Sequence, residues 1–529
     1  MNHRAVVPLN VALGSSYDAV VVGAGHNGLV AALTLARAGQ RVLCVERAPV
    51  VGGATRTEYP FAKAPELPQS TGAYLLGLMP PELMQRLEIE IPVLRRDPHY
   101  FLPTTGQRYL LFGSDQAELE RQFVAFFSRA DWEAHQRLQA EITALRDDIA
   151  PTWLKQPLSI EETAERYVRP ALRRAFVELC RGSVGDYLER FGFQSDLVKA
   201  MYAVTDGFSG LYGGYRTPGT GMNFLIHNMC RLPGSDGTWM VVKGGMGTVV
   251  SVLADALASR GGSIVTGAPV REILIERGSA RGVVLEDGSE IRARSVLCNA
   301  DPFRLQALVG RDRLPAEYNA RLDALKKPGS TLKLNLALER LPTFSCLPEN
   351  RGQFGPTIHL LPDEHEVLAE IESAFRAVQA GRLPEFPTIE WYVHSTIDPS
   401  LTDAQGRLSA AFFVQWVPYE LSESSWDVEA ERYARRLLEI ADRFAPDTSS
   451  LVTDWQILHP KTIEERFGIS QGHIHHVDNG FGFSDRVPHK TPIDGLYSCS
   501  AGTHPAGSVI GCAGYLAAEL CLRELGLGP

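Results

Sequence analysis

Val20–Glu46 reads VVVGAGHNGLVAALTLARAGQRVLCVE, and its interpretation decides the fold. Ala19–Val22 is a short apolar run, mostly β-branched, as expected of a buried parallel strand. Gly23, Gly25 and Gly28 follow at the offsets of a G-x-G-x-x-G turn. Small and apolar residues then recur at helical spacing: Leu29, Ala32, Leu33, Leu35 and Ala36. Gly39 stops that helix, Arg41–Val45 forms a second strand, and Glu46 ends it. Gly23 permits the tight turn, Gly25 lets the backbone approach a pyrophosphate, and Gly28 lets helix and strand pack closely. Ala24 and Asn27 stand in the same loop. The helix N-terminus offers free N–H groups and a positive dipole end to phosphates. Glu46, 18 residues after Gly28, can accept from a ribose diol. Strand, turn, helix, second strand and acid occur in the order that dinucleotide binding requires.

The next residues select the dinucleotide. Arg47 is followed by Gly52-Gly53, Ala54 and Thr55. With this doublet the chain resembles the flavoprotein superfamily of amine oxidases and phytoene desaturases. There such a pair lies along the FAD pyrophosphate and ribityl chain, so the resemblance implies FAD.

Two later modules extend it. Gly244–Pro302 contains a glycine turn, a helix with Val249, Val250, Leu253, Ala254 and Leu257 on one face, and strands at 263–266, 270–276, 281–285 and 295–299. It resembles the second FAD segment of phytoene desaturases: Val270 matches the position whose backbone holds the adenine, and Asn299 lies at the strand end that returns to the cofactor. Near the C-terminus, GLYSCSAGTHPAGSVIGCAG (Gly495–Gly514) resembles the tail of that branch. This implies contacts from Gly502, Val509 and Ile510, and a helix over 507–525 aimed at the flavin pyrimidine. The sequence departs from the family at Ser500 and Ala506, where glycine is frequent, which alters packing near the ring. The resemblance covers about residues 17–525.

The implied fold class is α/β: a Rossmann-like FAD-binding domain of the glutathione-reductase/amine-oxidase type, with an interleaved α+β substrate domain. Residues 17–100, 236–310 and 456–529 would build the FAD domain, 101–235 and 311–455 the substrate or cap domain, and 1–16 a flexible leader. The first insert has helix-period segments at 119–127, 132–149 and 160–191. In the second, STLKLNLALE alternates Leu332, Leu334, Leu336 and Leu338 against Lys333, Asn335 and Ala337, a strand pattern.

Composition bounds the function. The chain has 529 residues, 44% hydrophobic and 22% charged, and a formal charge of −10, which argues against nucleic-acid binding. Its eight cysteines include no C-x-x-C, so disulfide reduction is set aside. No second G-x-G-x-x-G opens a helix, so a separate nicotinamide domain is not expected. Electrons would pass to oxygen, a quinone or a second substrate. The leader lacks a signal-peptide core; a cytoplasmic location, free or membrane-associated, is expected, or a mitochondrial one in a eukaryote. Leu- and Met-rich stretches, GAYLLGLMPPELM (Gly72–Met84) and MNFLIHNM (Met222–Met229), could line an apolar pocket, serve as core, or let the protein rest on a membrane surface.

Three functions stand open. The first is an FAD-dependent oxidoreductase moving a hydride between flavin N5 and a C–C or C=C bond of an apolar polyene, isoprenoid or lipid-like substrate. The second is an amine oxidase with Lys333 near flavin N5; the third is an isomerase or a non-catalytic FAD-binding protein. His504, in the turn before the last helix, could hydrogen-bond flavin, act as acid/base or only stabilise its turn. In HIHHVD, a strand would put His473 and His475 on one face and His476 and Asp478 on the other, splitting any ligand set, so no metal is expected. Tyr212, Tyr215 and His227 are further pocket candidates.

Overall fold

The computed structural model describes residues 4–362 and 364–527. In chain order its principal elements are β1 (Tyr17–Val22), α1 (His26–Arg37), β2 (Val42–Val45), β3 (Tyr100–Pro103), β4 (Tyr109–Phe112), α2 (Gln116–Phe126), α3 (Arg129–Ile149), α4 (Gly247–Ser259), β5 (Ser263–Val265), β6 (Val270–Glu276), β7 (Ser279–Leu285), β8 (Glu290–Cys298), β9 (Thr331–Leu338), β10 (Thr357–Leu360), β11 (Thr388–Tyr392), β12 (Leu408–Gln415), β13 (Val452–Leu458), α5 (Pro460–Phe467), β14 (Leu496–Ser498) and α6 (Cys512–Glu524).

Two seven-stranded sheets organise them. The first runs β6-β7-β8-β1-β2-β5, with β14 also beside β8. Its centre is parallel: Val22 sits opposite Cys298 on one side and Val45 on the other. β1 and β2 are almost wholly buried, so their apolar runs need no alternation. The chain's last helix closes on its first Rossmann helix: a Cβ on Gly514 of α6 would lie 2.0 Å from Asn27 O of α1, so only glycine permits this approach.

The second sheet runs β13-β9-β12-β11-β10-β3-β4, antiparallel except between β10 and β3. Its strands come from both inserts, which are thereby one layer. The proposed boundaries at 100/101 and 455/456 fall inside β3 and β13. Both faces of β9 are buried: the leucines pack in the sheet's own core with Phe344 and Trp391, and Ala337 packs against Phe61, Ala64 and Leu67.

Several local expectations are corrected. Residues 1–3 of the leader lie outside the described residues, but the rest is docked: Ile264 N–H donates to Ala5 O and Val7 N–H to Ile264 O, both at 2.8 Å, and Leu9–Leu13 is a helix. The helical stretch 160–191 breaks into three helices, where Pro170 and Gly182 intervene. The last helix starts at Cys512 rather than 507, because Gly511 takes a left-handed φ of 84°. Leu75, Leu76, Leu78 and Met79 are buried, so that stretch offers no surface for a membrane. Among the described residues no helix is long and apolar enough to cross one.

Candidate functional site

A cavity of about 470 Å³ opens at the carboxyl ends of β1 and β2 and runs to the face of the second sheet. Its volume suits a bound small molecule. Gly23, Gly25, Asn27, Glu46, Arg47, Gly52, Gly53, Ala54, Thr55, Val270, Asn299 and Val509 all line it. Ala24, Gly28, Gly502 and Ile510 do not. Gly28 acts from beneath: a Cβ there would lie 2.0 Å from Gly23 O. Ala24 contributes its N–H, which donates to Glu46 Oε2 at 2.9 Å, while Ala48 N–H donates to Oε1 at the same distance. These bonds hold the carboxylate in place and leave lone pairs for further donors. Gly52 N–H donates to Ala24 O at 2.9 Å, tying the glycine pair to the first turn. Arg47 reaches the opposite wall, where its guanidinium donates to the carbonyls of Glu465 and Arg466, each at 3.2 Å, at the C-terminal end of α5.

The far end is walled by Tyr74, Leu75, Trp239, Thr331, Lys333, Phe413 and Ile474. Lys333 is 4% exposed. Its ammonium donates to Ser70 O and Gly72 O, the latter at 2.8 Å, and lies 5.0 Å from the Tyr74 ring centroid. Burial pulls its pKa well below the usual lysine range.

Sequence reasoning missed much of this wall. HIHHVD is no strand: it leaves a 3₁₀ turn at Ser470–Gly472 and bends at His476, whose φ is 61°. His475 and His476 both line the cavity, and so does His26. Burial lowers the pKa of His475 to about 3 and those of the other two to about 4, so all three are neutral. His473 instead meets Asp478, Nε2 to Oδ2 3.3 Å. Among the described residues no group of three or more His, Cys, Asp or Glu could hold a metal.

This loop is held by Arg486, 1% exposed. Its guanidinium donates to Val477 O (3.0 Å) and Phe481 O (2.9 Å) on one side, and to Thr503 O (2.9 Å) and Ala501 O (2.7 Å) on the other. It therefore fixes the histidine loop to the turn before α6. His504 lies behind this turn, outside the cavity; its ring is 5.9 Å from that of Phe483 and burial lowers its pKa to about 3. Neither of its ring nitrogens has a hydrogen-bond partner among the described residues. Tyr212 and Tyr215 also lie outside the cavity; His227 lines it.

Comparison with known proteins follows from this geometry. Residues 28–376 match the family described as flavin containing amine oxidoreductase. The chain belongs to that family. It is an FAD-dependent oxidoreductase. It is 32% identical to pyridine nucleotide-disulfide oxidoreductase domain-containing protein 2 of Rattus norvegicus, over 98% of this chain and 95% of the other. It is 26% identical to the neurosporene-forming phytoene desaturase of Rhodobacter capsulatus, over 95% of this chain and 93% of that one. A solved structure of putrescine oxidase, wild type bound to putrescine, superposes with a TM-score of 0.60 at 15% identity, covering 97% of this chain and 99% of that one, which shows a shared fold.

The oxidoreductase's own residues fit FAD. Where a phosphate chain would pass, the wall is backbone rather than side chain, at the N-terminus of a twelve-residue helix. Asn27 Oδ1 and His26 Nε2 are buried there without a protein partner.

Proposed function

We propose that the enzyme oxidises or reduces a C–C or C=C bond of an apolar, polyene-, isoprenoid- or lipid-like substrate, with a hydride passing between substrate carbon and flavin N5. One observation carries this reading: the compartment continuous with the glycine cradle is walled by Tyr74, Leu75, Trp239, Phe413 and Ile474. FAD, when bound, supplies the two-electron acceptor or donor.

The chain's residues do the rest. Gly23, Gly25, Gly52, Gly53 and the α1 N-terminus would hold the phosphates, and Glu46 a ribose. The aromatic and aliphatic wall orients the substrate and excludes water, which competes for a hydride acceptor or proton. The three neutral histidines bring polarity without charge. Likeness to a phytoene desaturase supports the bond type. No second glycine fingerprint opens a helix, which supports oxygen or a quinone as electron acceptor.

A second reading, oxidation of an amine, is favoured by the place of Lys333 in the same compartment. Anaerobic titration of the FAD-loaded enzyme separates the two. Bleaching of the flavin bands by a polyene or acyl lipid, and not by primary amines, is expected. Bleaching by amines alone, lost in Lys333→Met, would establish the second reading instead.

A further inference from the structure

Behind the reacting compartment lies a second cavity of about 580 Å³. The two share a wall, His227 and Trp239, whose rings stand 5.3 Å apart. The second cavity reaches solvent beside the exposed residues Gln116, Gln136 and Asp236. Its inner end carries a buried guanidinium.

That cation is Arg96, 6% exposed. Nε donates to Trp239 O at 2.9 Å and Nη1 to Thr357 Oγ1 at 2.7 Å. Both acceptors are neutral. Nη2 makes no hydrogen bond among the described residues, and no described carboxylate lies within the 4.0 Å of an ion pair. Guanidinium does not shed its proton in a protein, so its charge is buried without a direct ion pair, which is costly. One carboxyl is near enough to matter, that of Glu390, whose charge acts on the guanidinium. It makes no ion pair with Arg96, and burial pushes its pKa up to about 8, which favours its neutral form.

Next to Arg96 stands His359, fully buried on β10 and stacked 4.4 Å from Tyr100. Neither of its ring nitrogens has a protein partner. Burial, then the nearby Arg96, lowers its pKa to about 3, so it is a neutral ring with one N–H to give. A fixed guanidinium edge beside an unpartnered imidazole N–H is a pair of donors awaiting an acceptor with two oxygens.

We propose that the second cavity binds the carboxylate end of an elongated substrate, with Arg96 as its anchor and His359 as a second donor, and the apolar remainder directed at the His227–Trp239 wall that separates it from the reacting compartment. The substrate class is then an unsaturated or saturable lipid-like acid rather than a hydrocarbon. The position of the reacting end rests on the function proposed above; the acid site rests on Arg96 and His359.

The test uses FAD-loaded enzyme and three probes below their micelle concentrations: 9-hexadecenoic acid, its methyl ester and its alcohol. Affinity is read by calorimetry and by perturbation of the flavin spectrum. The acid should bind at least about tenfold more tightly than ester or alcohol. Arg96→Met should abolish that preference with flavin content unchanged. Equal binding of all three, no binding of the acid, or a preference that survives Arg96→Met would overturn the proposal. Should that variant fail to fold, wild-type crystals soaked with a terminally brominated acid decide: carboxylate density against Arg96 supports the site, and density elsewhere removes it. Flavin bleaching by a neutral polyene without acid preference sinks the acid site and leaves C–C chemistry standing. Amine oxidation through Lys333, with acid binding intact, does the reverse.

Discussion

Lys333 and Tyr74 face each other inside the reacting compartment, the ammonium 5.0 Å from the ring centroid and donating to the carbonyl of Gly72, two residues before that tyrosine. The lysine is thus also a brace between β9 and the segment that follows the glycine pair. Lys333→Met should remove that brace, leaving Ser70 O and Gly72 O unsatisfied at roughly 1–3 kcal/mol each. Under the C–C reading, turnover of the apolar substrate should persist within about tenfold while the melting temperature falls. Steady-state kinetics and thermal melts measure the two effects; a loss of activity in a variant of unaltered stability would point to amine chemistry.

Glu46 is held by two backbone N–H groups before any ligand arrives. Glu46→Ala should therefore weaken FAD binding by at least about tenfold, since a charge-assisted bond to a hydroxyl is worth roughly 1.5–3 kcal/mol. The ratio of flavin to protein absorbance after exhaustive dialysis reports it. Occupancy equal to wild type would move the ribose elsewhere.

Arg486 supplies donors to two loops at once. Arg486→Met should cost about 3–5 kcal/mol, the range for breaking a buried charged network, read by chemical denaturation. Arg486→Lys should rescue little, because an ammonium cannot span both loops with a planar fork. A melting curve close to wild type for either variant would show that the loops hold without it.

Glu390 gives a pH signature. Its Oε2 accepts from Tyr392 OH, yet burial raises its pKa to about 8. For a carboxyl raised on folding, the native state binds more protons than the unfolded one between the two pKa values. Stability from this group is complete below about 4.3, declines as pH rises, and is fully lost above about 8. Glu390→Gln, which mimics the protonated form, should gain on wild type across that window and level off beyond it. Melting temperatures of both proteins from pH 5.5 to 9 test the slope; a constant or falling difference would refute it.

The cradle was legible in the sequence because its demands are local. Gly28 must lack a Cβ to pass Gly23, and such a need leaves the same mark in any chain. The reacting compartment was only half legible. β9 shows alternation, which suggests one wet face, but the structure dries both by laying Phe61 and Leu67 over Ala337. The alternate histidines of 473–476 imitate a strand, whereas the positive φ of His476 turns them into a corner. Arg96 and Arg486 left no pattern at all. Each is one basic residue among 43 arginines in loop sequence, and its meaning comes from carbonyls and strands distant along the chain.

The packing of Gly514 against Asn27 has a consequence for synthesis. A chain emerging from the ribosome presents the glycine turn first and the helix that seals it last. The early Rossmann unit must wait, with the face of α1 that meets α6 uncovered, while both sheets are made. A chain truncated before α6 should therefore hold flavin poorly, read as flavin absorbance per protein.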